Sequence, residues 1–174
     1  MDTLMKNQMI KLRPLEPTDL DTLYNWENDT ALWVVSDTVA PYSRAALWQY
    51  LEAYTGDIYA QRQLRLMITL ASDDTPVGTI DFLNFDPLNN RAELGLFVDL
   101  KHRGKGLGRQ ALELLTDYAR EHLGLRQLYV YIALDNEVCL NLFDTFGYRR
   151  VGVIKSWVKR GRTYRDVALM QMIL

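Results

Sequence analysis

Apolar and polar residues alternate at Met9-Ile10-Lys11-Leu12-Arg13, and Pro14 stops the run, which predicts a strand. Thr18 or Asp19 can cap a helix whose spacing is marked by Leu20, Leu23, Tyr24 and Glu27 and which runs to about Trp26. Residues 28–42 follow no period, yet they hold Trp33, Val34, Val35, Val39 and Tyr42, too apolar a set for a solvated linker. Ser43 caps a second helix with Leu47, Tyr50, Leu51 and Tyr54 on one face and Gly56 at its end. From Gln63 the pattern becomes strand-like. Residues 64–70, 77–85 and 91–98 are strands joined by the polar turns Asp73-Asp74-Thr75-Pro76 and Asp86-Pro87-Leu88-Asn89-Asn90, an antiparallel meander. A helical period carries residues 110–122 through Ala111, Leu112, Leu115, Tyr118 and Ala119, and Gly124 ends it. Residues 127–134 predict a strand. A full helix connects it to the strand at 92–98, so the two are parallel neighbours. Asp135 or Asn136 caps a short helix through Phe146, and residues 148–156 and 165–173 are the last strands, joined around Lys159-Arg160-Gly161-Arg162. The order β-α-α-β-β-β-α-β-α-β-β predicts an α+β domain over residues 1–174, with a mixed sheet of about seven strands and about four helices.

Composition narrows the class of molecule. With 48% hydrophobic and 24% charged residues the chain reads as a soluble globular protein. No run approaches eighteen apolar residues, and residues 1–8 lack an apolar signal core, so the expected location is cytoplasmic, away from membranes. One cysteine excludes an internal disulfide, and two scattered histidines argue against structural zinc. A net charge of −2 gives no general attraction to nucleic acid. The cations are nevertheless concentrated at 101–109 and 155–165.

The first of these clusters is Lys101-His102-Arg103-Gly104-Lys105-Gly106-Leu107-Gly108-Arg109, between a strand and a helix. A helix N-terminus offers unpaired N–H donors and partial positive charge, and glycines let backbone approach a bulky anion. The spacing fits neither a Walker loop nor a dinucleotide fingerprint, and the meander before it does not fit a dinucleotide fold. Arg-x-x-Gly-x-Gly alone is a weak motif, so its context carries the weight.

That context resembles the GNAT family of acyl-CoA-dependent N-acetyltransferases over nearly the whole chain. The glycine loop matches the family's pyrophosphate-binding motif. Asn136-Glu137-Val138-Cys139-Leu140-Asn141-Leu142-Phe143-Asp144-Thr145-Phe146-Gly147-Tyr148 is similar to the family's next segment. Trp26-Glu27-Asn28-Asp29 and the ending Trp157…Gly161-Arg162-Thr163-Tyr164-Arg165-Asp166 resemble the branch of spermidine and ribosomal-protein N-terminal acetyltransferases.

The resemblance implies a GNAT-like fold, acetyl-CoA as donor and a primary amine as acceptor, either a polyamine such as spermidine or a protein N-terminus. It requires no metal. It implies that the fourth and fifth strands splay around the pantetheine arm, which pairs with backbone near Leu96, Phe97 and Val98. The pyrophosphate is expected on Arg103, Gly104, Lys105, Gly106, Leu107, Gly108 and Arg109, with Asn136 bonding the arm or the acceptor. Glu93 is the candidate base, a strand carboxylate beside the reacting centre, with a solvent-facing strand position or a structural salt bridge as its alternative. Relatives place a tyrosine where this chain has Phe143, which cannot donate a proton. Cys139 and Tyr131 are therefore the candidate acids, each with plain packing as the alternative. Glu27, Asp29, Trp33, Tyr42 and Trp48 are candidates to hold a cationic amine by charge and cation–π contact, with closure of the core under a long loop as the alternative for the aromatic residues. The basic last hairpin suits an acidic peptide or an RNA-bound protein rather than a polyamine, or equally is a solvated edge that guards against strand pairing. The last strands leave homo-oligomers open. A non-catalytic acyl-CoA-binding regulatory module is the competing reading.

Overall fold

The computed structural model describes residues 4–36 and 38–174. Seven strands make one mixed sheet: β1 (Ile10–Pro14), β2 (Leu64–Leu70), β3 (Pro76–Asp86), β4 (Arg91–Val98), β5 (Gln127–Ala133), β6 (Arg149–Arg160) and β7 (Thr163–Ile173), in the order β1-β2-β3-β4-β5-β7-β6. The helices are α1 (Leu20–Glu27), α2 (Trp33–Ser36), α3 (Arg44–Ala53), α4 (Ile58–Gln61), α5 (Leu107–Asp117) and α6 (Glu137–Phe146). Among the described residues no helix is long and apolar enough to cross a membrane.

Alternation along the strands divides the sheet into two faces. Leu64, Leu66, Ile68, Ile80, Phe82, Ala92, Leu94, Leu128, Val130 and Ile132 bury one face under α5 and α6, through Ala111, Leu112, Leu115 and Phe143. Met67, on the opposite face of β2, packs with Leu15, Leu23 and Leu51 beneath α1 and α3. Ser43 caps α3 by accepting from the Ala46 N–H, and Asn136 caps α6 from the Cys139 N–H, as their residue types predict.

Four boundaries differ from the sequence expectation. Pro14 does not stop β1 but ends it, opposite Leu66; it is on an edge strand, where its missing N–H costs nothing. The helix expected from residue 110 begins at Leu107, because Gly106 at φ +75° serves as its N-cap. The single turns α2 and α4 are too short to show a period. β6 and β7 leave only Gly161 and Arg162 as their turn. β6 is exposed along most of its length, so no burial pattern marked its end.

β4 and β5 are parallel, as the connecting helix predicts, but their pairing covers only Arg91–Gln127, Ala92–Leu128 and Glu93–Tyr129. Beyond these rungs β4 stays on β3 as far as Val98 and β5 stays on β7 as far as Ala133. The sheet opens into a cleft between them.

Candidate active site

The register of β3 on β4 decides which backbone groups enter the cleft. The Asp99 N–H donates to the Val77 carbonyl at 2.9 Å, flanking the pair Gly78–Val98. Gly78–Val98 and Ile80–Leu96 are thereby the non-hydrogen-bonded pairs, whose own N–H and C=O groups point away from their partners. Leu96 and Val98 present both groups to the side that β5 has left. Phe97 does not share this expected role, because its backbone turns toward β3. A Cβ at position 78 would lie 2.1 Å from the Phe97 carbonyl oxygen, so only glycine permits the approach.

The N-terminus of α5 closes the lower end of this cleft. Gly104 and Gly106 both have φ +75°, with open space where a Cβ would stand. No side chain caps the helix, so its opening N–H groups are left without intrahelical partners. Gly108 lies against Leu96 and Val98 of β4 and Leu142 of α6. The Arg103 Nε donates to the Val98 carbonyl at 2.9 Å, which ties the loop to the strand. Arg109 places its guanidinium 5.4 Å from the Phe146 ring on α6. A glycine cradle, cations and an uncapped helix end fit a pyrophosphate group.

On α6 the Asn136 side-chain oxygen accepts from the Cys139 N–H at 3.2 Å. The cap occupies that oxygen and leaves the amide nitrogen as the group able to meet a ligand. Burial pushes the Cys139 thiol up to about 11, although Arg103 pulls it down. Phe143 is buried and stands edge-on to Tyr148, ring centres 4.9 Å apart. The Tyr148 hydroxyl is itself buried without a hydrogen-bond partner, and burial raises its pKa.

The opposite face of the sheet carries the titratable groups. The Asn84 side-chain nitrogen donates to Glu93 at 2.7 Å. Glu93 is the last β4 residue paired with β5, so it stands at the apex of the cleft. Tyr131 is two residues beyond its partner Tyr129, on the same face, 40% exposed and edge-on to Tyr129. Burial raises the Tyr129 pKa, and Glu93 adds to the rise. Phe97 stacks edge-on against Trp26 at 5.2 Å. The candidate cation holders are mostly engaged: Glu27 pairs with Arg65 at 3.3 Å, Asp29 accepts from the Ala31 N–H, and the Trp33 indole donates to the Glu27 carbonyl at 2.9 Å. Tyr42 is held through its backbone by Asn28. Trp48 is half-exposed on α3.

The family profile of the acetyltransferase (GNAT) domain matches residues 10–149. The chain belongs to the GNAT acetyltransferase family. Spermidine N(1)-acetyltransferase of Escherichia coli K12 is 26% identical over 92% of this chain and 84% of its own length. Ribosomal-protein-serine acetyltransferase of the same strain is 29% identical over 66% of this chain and 64% of its own. The crystal structure of spermidine N-acetyltransferase from Vibrio cholerae in complex with CoA and spermine superposes with a TM-score of 0.85, covering 96% of each chain at 23% identity. That last likeness is one of fold.

Within this GNAT fold the sequence patterns did not reveal an ion-pair cluster that joins β2, β3 and α1. Arg65 of β2 bonds Asp81 of β3 at 2.9 Å and reaches Glu27 of α1. Burial alone would lower the pKa of Arg65, but Asp81, Tyr50 and Glu27 outweigh it and keep the guanidinium charged. The Tyr54 hydroxyl bonds both backbone groups of Arg65. Gly95 makes room for Asp81, whose carboxylate would lie 3.1 Å from a Cβ there. A signal was present: Arg65 and Asp81 each interrupt an apolar strand, and a charge in such a place needs a partner.

Proposed function

We propose that the chain is an acetyl-CoA-dependent N-acetyltransferase that acts on a primary amine, by direct attack within a ternary complex. The observation that carries this reading is the cleft between β4 and β5, where the N–H and C=O of Leu96 and the N–H of Val98 converge with the uncapped start of α5. Acetyl-CoA supplies an activated thioester, so the protein's task is to position two substrates. In this reading the N–H groups from Gly104 to Arg109, with Arg103 and Lys105, bind the pyrophosphate. Leu96 and Val98 pair with the pantetheine amides, and the Asn136 amide nitrogen donates to the same arm. The Leu96 N–H, deeper in the cleft than Val98, serves as oxyanion donor.

The acceptor nitrogen attacks the thioester carbon, the C–S bond breaks, and the products are an N-acetyl amide and the CoA thiol. Glu93, oriented by Asn84, takes the amine proton through water. Tyr131, half-exposed on the splayed part of β5, gives a proton to the departing sulfur. Cys139 is unsuited to that step, because burial makes its thiol a weaker acid than an ordinary one. The acceptor is a polyamine or a peptide N-terminus, the two classes on which the named relatives act.

A thiol-release assay with acetyl-CoA against spermidine, aminoglycosides, amino acids and N-terminal peptides tests the reaction. One class of amine is expected to yield thiol and acetylated product in equal amounts. Binding of acetyl-CoA without release across the panel would establish a non-catalytic module instead. Glu93→Gln is expected to lower kcat/KM about 100-fold at neutral pH, with activity recovering as pH approaches the pKa of the amine. An unchanged pH profile removes Glu93 from the mechanism.

A further inference from the structure

We infer that Phe97, held in place by Trp26, sets the length of the acyl group that the enzyme transfers and selects acetyl against longer chains. The inference rests on the acetyltransferase reading above and names the residue that gives its donor side specificity.

Alternation along β4 sends neighbouring side chains to opposite faces of the sheet. Leu96 and Val98 lie against Gly108 at the start of α5, so their side chains share a face with the glycine cradle. Glu93, Gly95 and Phe97 take the other face, where Phe97 meets Trp26 of α1. A donor gripped at the cradle enters the cleft from the α5 face. Its acyl group, with the carbonyl oxygen on the Leu96 N–H, comes out on the α1 face. There the two nearest positions on β4 are 95 and 97.

Both are closed. At Gly95, an Asp81 carboxylate oxygen and a Leu83 methyl would stand 3.1 Å and 3.4 Å from a Cβ. Asp81 is only 6% exposed and is held from swinging aside, because Arg65 donates to both of its oxygens, at 2.9 Å and 3.3 Å. At position 97 the ring is half-buried and edge-on to Trp26, centres 5.2 Å apart. Trp26 packs in turn on the cluster of Leu15, Leu23, Leu51 and Met67. Thr79, which pairs with Phe97 on β3, is buried. Close-packed neighbours of this kind do not yield to an added methylene without displacement. The open direction lies across the cleft toward Tyr131, 40% exposed on β5, and the amine must come in that way. A longer acyl chain therefore collides with a wall or stands in the path of the attacking nitrogen.

The test compares acetyl-, propionyl- and butyryl-CoA as donors for the panel of amines above, by thiol release on the intact protein. The affinity of CoA itself is measured by calorimetry. The parent is expected to lose about tenfold in kcat/KM for each added methylene. Phe97→Ala should raise the butyryl-to-acetyl ratio of kcat/KM by about 30-fold and keep the affinity for CoA. Trp26→Leu leaves β4 intact and frees the ring, so it should move the same ratio in the same direction by about fivefold. Should Phe97→Ala not fold, Phe97→Val is measured in its place, with about tenfold expected. A ring that only supports the fold would, on removal, slow both donors alike and leave the ratio still. That outcome, in variants that keep CoA affinity, overturns the inference, and so does a parent that uses butyryl-CoA as well as acetyl-CoA; neither touches the acetyltransferase reading. No thiol from acetyl-CoA with any amine sinks that reading and the inference with it.

Discussion

On the side of the cleft proposed for the donor, the groups offered to a ligand are peptide groups: the N–H and C=O of Leu96, the N–H of Val98 and the opening N–H groups of α5. On the side proposed for the acceptor they are side chains: Glu93 held by Asn84, Tyr131, the Arg65 cluster, Trp33 and Trp157. Backbone groups are aimed by strand register and helix position, which many contacts fix at once. Side chains are aimed by a few partners each, and one substitution can redirect them. A fold built this way can keep its donor while changing its acceptor.

The comparison can be broken first at Asp81. Asp81→Ala leaves Arg65 buried with only Glu27, and the expected loss of stability is about 3 kcal/mol by denaturant unfolding. In the surviving folded fraction KM for the acceptor should rise, with acetyl-CoA affinity retained. Equal loss of both would mean that the two sides are not separable. Gly78→Ala probes the other side, through backbone alone. The added methyl collides with the Phe97 carbonyl and displaces the end of β4. A fall in kcat of about 100-fold is expected from the lost oxyanion geometry, and a variant with normal kcat would show that this strand end is not the donor. Gly108→Leu is milder. It fills the space beside Leu96, Val98 and Leu142 and should weaken acetyl-CoA about tenfold by calorimetry, with no change in acceptor preference.

The smallest effect is expected at Cys139. Cys139→Ala should keep turnover within about twofold at neutral pH, because a thiol that retains its proton more firmly than usual adds little as an acid. The same burial predicts a stability signature. The folded pKa is raised from 9.0 to about 11, so the folded state holds the proton more tightly. Its contribution is complete below about pH 9 and fades as pH rises to about 11. Thermal unfolding across that range should fall less steeply in Cys139→Ala than in the parent. Parallel curves would show that the thiol is not buried.

The same division explains what could be read from the chain. The seven strands, the parallel crossover and the glycine loop each have a local signature, in period two, in helix length and in residue type. Leu96 and Val98 were reachable only through the family resemblance, and the separate orientation of Phe97 depends on the bond from Asp99 to Val77, which no local pattern encodes. Arg65, Asp81 and Glu27 lie on three different elements, and only the register of β2 on β3 brings the first two together. Trp157 stood in a quoted motif, yet Trp33, which lines one groove with it, is 124 residues away in the chain, in a segment without period. Long-range pairing of side chains is the part that a linear pattern does not carry.

The three rungs between β4 and β5 have a mechanical meaning. Among the described residues they are the sole strand pairing between a four-stranded block, β1 to β4, and a three-stranded block, β5 to β7. A ligand arm bonded to Leu96 and Val98 would supply, from outside the chain, part of the ladder that the sheet omits. Donor occupancy then becomes a matter of sheet continuity.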